Sequence, residues 1–310
     1  MSVIAIVLTV LKGMAMGAAD VVPGVSGGTI AFITGIYERL LGALKACTPA
    51  ALLRLKRQGW RAFWRHIDGT FLCALFGGVL LSIATLAHAI EFALAQYPLH
   101  IWGFFSGLIL ASSVYIGRHL RWSRALVLLA FSLGVLAALW LGAIKPVNVP
   151  INSVTVFAAG AIAICAMILP GVSGSFLLLV MGVYPAIISA VTKPNVTLLL
   201  TFMTGCVLGL LLFSHLLHWL LQRYRQPTLA LLCGVLVGSL SVVWPWKHAL
   251  VTVADRHGEL VPLVQRNVLP WHYELITQND SAWPGVLGLF VLALLVVFAL
   301  EYSAKRLRAN

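Results

Sequence analysis

Apolar residues fall in long blocks along this chain, separated by short polar clusters that are mostly basic. Runs of span length lie near residues 70–92, 101–117 and 124–144, and again near 197–221, 227–245 and 283–302. Each is close to the roughly 20 apolar residues that a helix needs to cross a bilayer. Two further pairs of runs, 3–22 with 28–47 and 154–169 with 175–192, are shorter and interrupted by Pro and Gly. Pro breaks a helix and Gly permits a tight reversal, so these pairs predict broken or re-entrant helices.

The interruptions are copies of one another. Residues 23–27 and 170–174 both read PGVSG. Each leads into a run carrying Gly-x-Tyr, at Gly35-Ile36-Tyr37 and Gly182-Val183-Tyr184, and the offset stays at 147 residues from Gly13/Gly160 to Tyr37/Tyr184. Farther on it drops to about 127, with Gly77-x-Val79-Leu80 matching Gly205-x-Val207-Leu208, because the first half carries an extra basic linker. The chain therefore divides into a first repeat, 1–150, with a linker at 48–68, and a second repeat, 151–310, with a long loop at 246–282. Each paired run returns the chain to the side it came from, and three further spans then start the second half upside down. The expected fold is one all-α integral membrane domain over 1–310, an inverted-topology repeat with a broken or re-entrant helix pair and three transmembrane helices in each half.

Charge supports this topology independently. With the N-terminus in the cytoplasm, Arg54, Lys56, Arg57, Arg61, Arg65, Arg118, Arg121, Arg124, Arg223, Arg225, Lys305, Arg306 and Arg308 fall inside. Lys145, Lys193, Lys247, Arg256 and Arg266 fall outside, along with the loop 246–282. That asymmetry satisfies the positive-inside rule. Trp102, Trp122, Trp140, Trp219, Trp244, Trp246 and Trp283 sit at span ends, as an aromatic belt would. The linker opens on Thr48-Pro49 and interleaves Leu52, Leu53, Trp60, Phe63 and Trp64 with its cations, the pattern of an interfacial amphipathic helix.

Composition agrees. The 310 residues are 61% hydrophobic and 10% charged, far below the roughly 25% charge of a soluble domain. A net charge of +12 would suggest nucleic acid in a soluble protein; here the cations cluster between spans, where they face anionic lipid. The five cysteines lie in or beside apolar runs without CxxC spacing and read as small core residues. The first apolar run continues into the Gly/Pro motif, so it is not read as a cleaved signal peptide. His215 and His218 could bind a metal, but their place near a span end favours an interfacial role, and no spacing calls for a metal or cofactor.

Non-helical backbone inside a membrane persists only where it is buried in protein or lines a cavity. The helices after Ser26-Gly27-Gly28-Thr29 and Ser173-Gly174-Ser175 would begin there, offering free N–H groups, partial positive charge and hydroxyl donors. Two such ends, brought together by the inverted repeat, would form a shared anion site. Packing kinks also use Pro and Gly, but do not call for the same five residues twice. Lys12, Asp20, Glu38 and Arg39 place costly charge in the first apolar pair, while Met167, Pro185 and Ala186 stand at the second-half equivalents of the last three. Arg39 is the best cation for a phosphate, with Lys12 in reserve. Ten residues from Thr29, about 15 Å of helix, set Arg39 nearer the cytoplasmic mouth, with Glu38 as its partner when the site is empty. Asp20 and Glu38 are candidate carriers of a coupling proton or sodium ion.

The stretch GMAMGAADVVPGVSGGTIAFITGIYERLLGAL, with its second copy ICAMILPGVSGSFLLLVMGVYPAII, resembles the bacterial polyprenyl-phosphate transporter family over essentially the whole chain. The resemblance implies a flippase of the cytoplasmic membrane that returns undecaprenyl phosphate, the lipid carrier of cell-wall and surface-glycan precursors, to the inner leaflet. Two other readings stay open. Membrane undecaprenyl-pyrophosphate phosphatases also have inverted repeats and a Pro-Gly-x-Ser loop, but theirs carries Arg after Ser, where this chain has Gly27 and Gly174, and no ExxxE occurs here. A small-anion channel or exchanger could use helix N-termini equally well.

Overall fold

The computed structural model describes residues 1–22, 25–144, 149–254 and 260–309; Pro23 and Gly24 of the first motif, Lys145 and Arg256 lie outside the described residues. The first half contains α1 (Val3–Val21), α2 (Gly27–Ile33), α3 (Tyr37–Ala46), α4 (Pro49–His66), α5 (Gly69–Gln96), α6 (Pro98–Gly117) and α7 (Ala125–Ala143). The second contains α8 (Ser153–Ile168), α9 (Gly174–Val180), α10 (Tyr184–Thr192), α11 (Val196–Arg223) and α12 (Arg225–Ser239). It continues with β1 (Lys247–Ala254), β2 (Leu260–Asn267), α13 (Pro270–Thr277) and α14 (Trp283–Ala309).

Helix makes up 79% of the chain. Among the described residues, α1, α6, α7, α11 and the Gly69–Leu86 part of α5 are long and apolar enough to span a membrane. α9 and α10 form a pair bent by 110°. Leu136, Val154, Leu212 and Leu295 leave most of their surface uncovered, which is sustainable only where lipid is the solvent. This is a multi-pass membrane protein.

Four helix pairs carry most of the packing: α1 with α5, α8 with α11, α6 with α14 and α7 with α12. Glycine lets their backbones touch, as small residues do between helices in lipid. A Cβ on Gly13 would strike the Leu75 carbonyl and one on Gly160 the Phe202 carbonyl; reciprocally, Gly78 faces Val10 and Gly205 faces Phe157. The pairs α1/α5 and α8/α11 thus share one register at the sequence offsets of 147 and 127. In the other two pairs, the last long helix of each half packs on a helix of the opposite half, with Gly107 against the Phe290 carbonyl and Gly234 against that of Phe131.

The second run of each pair, expected as one element over 28–47 and 175–192, is itself broken, into α2–α3 and α9–α10, and the two breaks duplicate bond for bond. Thr34, Gly35 and Ile36 donate their N–H groups to the carbonyls of Ile30, Phe32 and Ala31; Met181, Gly182 and Val183 donate theirs to Leu177, Leu179 and Leu178. The 6→1 bond, from Ile36 to Ala31 and from Val183 to Leu178, is that of a Schellman ending with a left-handed residue at its centre. Gly35 and Gly182 supply it, with φ of +71° and +68°. The Gly of each Gly-x-Tyr therefore ends one helix, and the Tyr begins the next.

The linker is the helix α4, with Pro49 at its first turn and a break at Gly59. Trp60 packs on Phe63 and Trp64, and Trp64 Nε1 donates to Thr70 Oγ1 at 3.0 Å. The all-α expectation needs one correction: the loop 246–282 carries the antiparallel hairpin β1–β2 as well as α13. The segments Ala249–Ala254 and Leu260–Val264 are rich in Val, which suits a pleated strand. Trp244 and Trp246 tether this loop through indole N–H bonds to the carbonyls of Val268 and Ser281, at 2.8 and 2.9 Å.

The basic segments assemble on one face. Arg39 reaches both Met1 Sδ and the carboxylate of Asp68. Arg121 N–H donates to Gln226 Oε1 at 2.9 Å, Gln226 Nε2 donates to the His119 carbonyl at 3.1 Å, and Arg118 lies over the Phe298 ring. The N-terminus, the end of the linker, the α6–α7 and α11–α12 turns and the C-terminal half of α14 thus lie together. Lys247 marks the opposite face, over the Trp102 ring and donating to the Val242 carbonyl; burial pulls its ammonium down to about 8.

Two predictions follow from this architecture. In a cysteine-free background, Gln58→Cys should resist an impermeant reagent applied from outside and react after permeabilisation; labelling from outside would overturn the expectation, drawn from charge, that the basic face is cytoplasmic. Gly35→Ala and Gly182→Ala should each lower the detergent unfolding temperature, since a left-handed residue with a Cβ costs about 1–2 kcal/mol.

Candidate functional site

The site is built on α2, which is too short to be stable alone. α1 runs antiparallel beside it and supplies a charge for each end. Asp20 Oδ1 accepts the Gly27 N–H at 2.7 Å, and Lys12 Nζ donates to the Thr34 carbonyl at 2.8 Å. The acid sits at the positive end of the α2 dipole and the base at its negative end. The eight-residue spacing from Lys12 to Asp20, about 12 Å, matches the length of α2. Ser26 caps the helix by accepting from Gly28 N at 3.1 Å. A Cβ on Gly27 would lie 2.6 Å from Asp20 Oδ2, so a larger residue there would have to displace the Asp20 carboxylate.

The first motif then grips the approach to the second. Ser26 Oγ donates to the Met167 carbonyl at 2.8 Å, Tyr37 OH donates to that of Ile168 at 3.0 Å, and Thr29 Oγ1 accepts from Gly171 N at 2.9 Å. The first two contacts satisfy carbonyls at the end of α8 that have no intrahelical partner, and the third satisfies an N–H of the second motif itself. Ser26, Thr29 and Tyr37 are almost fully buried, at 1%, 1% and 3% exposed. Gly28 is needed because a Cβ would meet the carbonyl oxygens of Ile168 and Met167 at 2.7 and 2.9 Å. Among the described residues the second motif's serines bond within their own loop. Ser173 caps α9 through the Phe176 N–H at 3.4 Å and pairs with Ser175 Oγ at 2.9 Å.

The two loops therefore meet, but their serines face different surroundings. On the basic face a cavity of about 530 Å³ opens between α2–α3, the end of α6 and the α11–α12 turn. Phe32, Tyr37, Glu38, Tyr115, His119, Arg225 and Gln226 are in its wall. Ser173 instead lines a crevice of about 20 Å³ with Gly171, Phe176, Ser239 and Val242. Neither of these two spaces is lined by serines of both motifs. The N–H groups of Gly27 and Gly28 at the start of α2 are already taken by Asp20 and Ser26, and Thr29 N bonds to the Ser26 carbonyl.

The intramembrane charges sort differently from their sequence order. Lys12 and Asp20 serve α2. Arg39 lies at the rim, 44% exposed, with Nε 2.6 Å from Asp68 Oδ2 and its guanidinium over the Phe71 ring. Its partner is Asp68 and not the neighbouring Glu38, because successive helical residues point apart. Glu38 instead pairs with Arg225 at 2.8 Å. Both pairs are exposed, so each is worth about 1 kcal/mol or less. Sequence reasoning missed Arg225, His119, Tyr115 and Tyr37 as site residues. Arg225 appeared only as one of many cytoplasmic cations, and the Tyr of Gly-x-Tyr was the one available signal.

A bundle of membrane-spanning helices with two broken helix pairs meeting inside it, and a donor-lined cavity opening to one face, is the architecture of a membrane transporter. Comparison with known proteins specifies it further. The model of the family described as undecaprenyl phosphate translocase-like matches residues 16–261, and the chain belongs to that family. It is 48% identical over 298 residues to a polyprenyl-phosphate transporter of Vibrio cholerae, covering 96% of this chain and 97% of the relative. It is 32% identical over 256 residues to a polyprenyl-phosphate transporter of Staphylococcus aureus, covering 77% and 86% respectively. No solved structure matches.

The Asp20 clamp gives a direct test. Asp20→Ala strips a buried N–H of its acceptor and should cost about 1–3 kcal/mol, read as a lower unfolding temperature in detergent. Asp20→Asn keeps an acceptor oxygen and should lose much less. Equal losses in the two variants would show that the bond to Gly27 contributes nothing.

Proposed function

We propose that this chain is a flippase that carries undecaprenyl phosphate from the outer to the inner leaflet of the bacterial cytoplasmic membrane. The observation that carries the reading is the cavity on the basic face. It presents Arg225, His119, Tyr115 and Gln226 and ends at Tyr37, which is bonded to the second motif's approach. An arginine and several neutral donors suit a phosphate monoester, which brings about −1.5 to −2 charges. The names of the two relatives support a polyprenyl phosphate as cargo, and a transport rather than an enzymatic role.

In this reading the basic face is cytoplasmic, and the two halves are related by inversion. The duplicated turns and the exchanged pairing of the last helices support that relation, since a two-fold axis between the halves would generate both. Alternating access then follows: the cavity is open toward the basic face while the crevice at Ser173 is closed. The headgroup crosses when the bonds of Ser26 and Tyr37 to α8 release, meeting Ser26, Gly27, Gly28 and Thr29 on one side and Ser173, Gly174 and Ser175 on the other. Asp20 gives a coupling proton a place in the cycle, because its negative charge stands where the phosphate passes.

Reconstitution tests the function: purified protein in liposomes should speed leaflet exchange of a labelled polyprenyl phosphate. Absence of exchange would refute the proposal, and release of phosphate from polyprenyl pyrophosphate would point to an enzyme. Arg39 is proposed to meet the headgroup first. Arg39→Gln should slow exchange by about tenfold, the value of one charge-assisted hydrogen bond, with folding intact. Arg39→Lys should recover only part, since a point charge lacks the planar fork.

A further inference from the structure

A second cavity of about 450 Å³ lies on the same face, lined by Glu38, Arg39, His218, Leu221, Gln222 and Arg225. It shares Glu38, Leu221 and Arg225 with the larger cavity. The ion pair between Arg225 Nη2 and Glu38 Oε1 therefore stands where the two spaces meet, with Arg39 and His218 in the smaller, a vestibule, and His119 in the larger, an inner cavity in that it reaches the buried Tyr37. Both partners are accessible, at 63% and 57% of their side-chain surface.

Resting on the polyprenyl-phosphate reading above, we infer that Arg225 is the residue that draws the phosphate headgroup from the vestibule into the inner cavity, and that Glu38 is the built-in anion it exchanges. A carboxylate and a phosphate ester offer an arginine the same pair of oxygen acceptors, and the phosphate carries more charge. A guanidinium held by an accessible carboxylate is pre-positioned yet cheaply released, because exposed pairs are weak. Arg39 and Asp68 repeat the arrangement at the outer rim. Glu38 and Arg39 are neighbours on α3, so the two arginines bracket that helix and form successive exchange points. Removing the Glu38 carboxylate joins the two cavities and leaves Arg225 without its competitor. The pair is thus a latch on the headgroup's path, and Arg225 is its positively charged half.

The test uses the full chain, measuring leaflet exchange in liposomes and, in detergent, binding of a labelled short-chain polyprenyl phosphate. Arg225→Gln should slow exchange and weaken binding by about tenfold, as loss of a charge-assisted bond does, with Arg225→Lys intermediate. Glu38→Gln should tighten binding by up to about fivefold, the most an exposed pair normally withholds. The exchange Glu38→Arg with Arg225→Glu restores an ion pair but displaces the cation, and should remain defective. Inorganic phosphate should not compete at concentrations where the lipid saturates. Normal exchange in Arg225→Gln, or full recovery in the charge exchange, would overturn the latch while leaving the transport function standing. Competition by inorganic phosphate at equal affinity would assign the site to a free anion and also overturn it. Failure of the wild-type chain to bind or exchange the lipid would instead defeat the underlying reading.

Discussion

The clamp that α1 places on α2 is the constraint on which the rest of the interior depends. Seven residues cannot hold a helix by themselves, and in a bilayer no water rescues its unpaired ends. Asp20 and Lys12 satisfy one end each and fix the position of α2 along α1. From that position Ser26, Thr29 and Tyr37 reach across to Met167, Gly171 and Ile168. Loss of the clamp would leave the contact between the two motifs without a rigid element on the first-half side. Charge in the apolar segment, which looks expensive in the sequence, is offset because each group meets a backbone partner.

Duplicated backbone and unlike side chains then divide the labour between the halves. The Schellman endings at Gly35 and Gly182 are the same turn, and the glycine contacts of α1/α5 and α8/α11 have the same register. Yet Gly28 corresponds to Ser175, Asp20 to Met167 and Glu38 to Pro185. Gly28 is small because the end of α8 presses on it; Ser175 bonds to Ser173 within its own loop. The first half thus anchors the contact with polar groups, while the second presents Ser173 to a crevice. Under the proposed cycle, shared backbone geometry supplies two related conformations, and the unlike side chains make the two openings chemically different.

On the basic face, both arginines nearest the cavities are paired with accessible carboxylates. Such pairs contribute little to stability, so their value must be sought in what they hold ready. An unpaired cation cluster at this surface would attract any anionic lipid headgroup. Under the proposed reading, pre-paired arginines are held in position at little cost and favour an acceptor that carries more charge than a carboxylate.

The sequence by itself determined the membrane class and the interruption of the helices at the two PGVSG motifs, though not the second breaks at Gly35 and Gly182. Apolar run length and the placement of Gly and Pro are local properties that lipid enforces directly. It also determined which segments share the basic face, because charge follows the topology of the spans. The helix at 49–66 was legible from Thr48-Pro49 and its interleaved aromatics, whereas the hairpin in the loop 246–282 was passed over. Partners were not legible. Arg39 faces Asp68 and Glu38 faces Arg225 across 29 and 187 residues, and no sequence spacing encodes which turn of which helix comes alongside. Nor could the motif reveal that α2 already carries an internal carboxylate at its start, since that depends on α1 lying antiparallel beside it. Local patterns fix what each segment can become, but the pairing of distant side chains is decided only when glycine-lined backbones settle into one packing register.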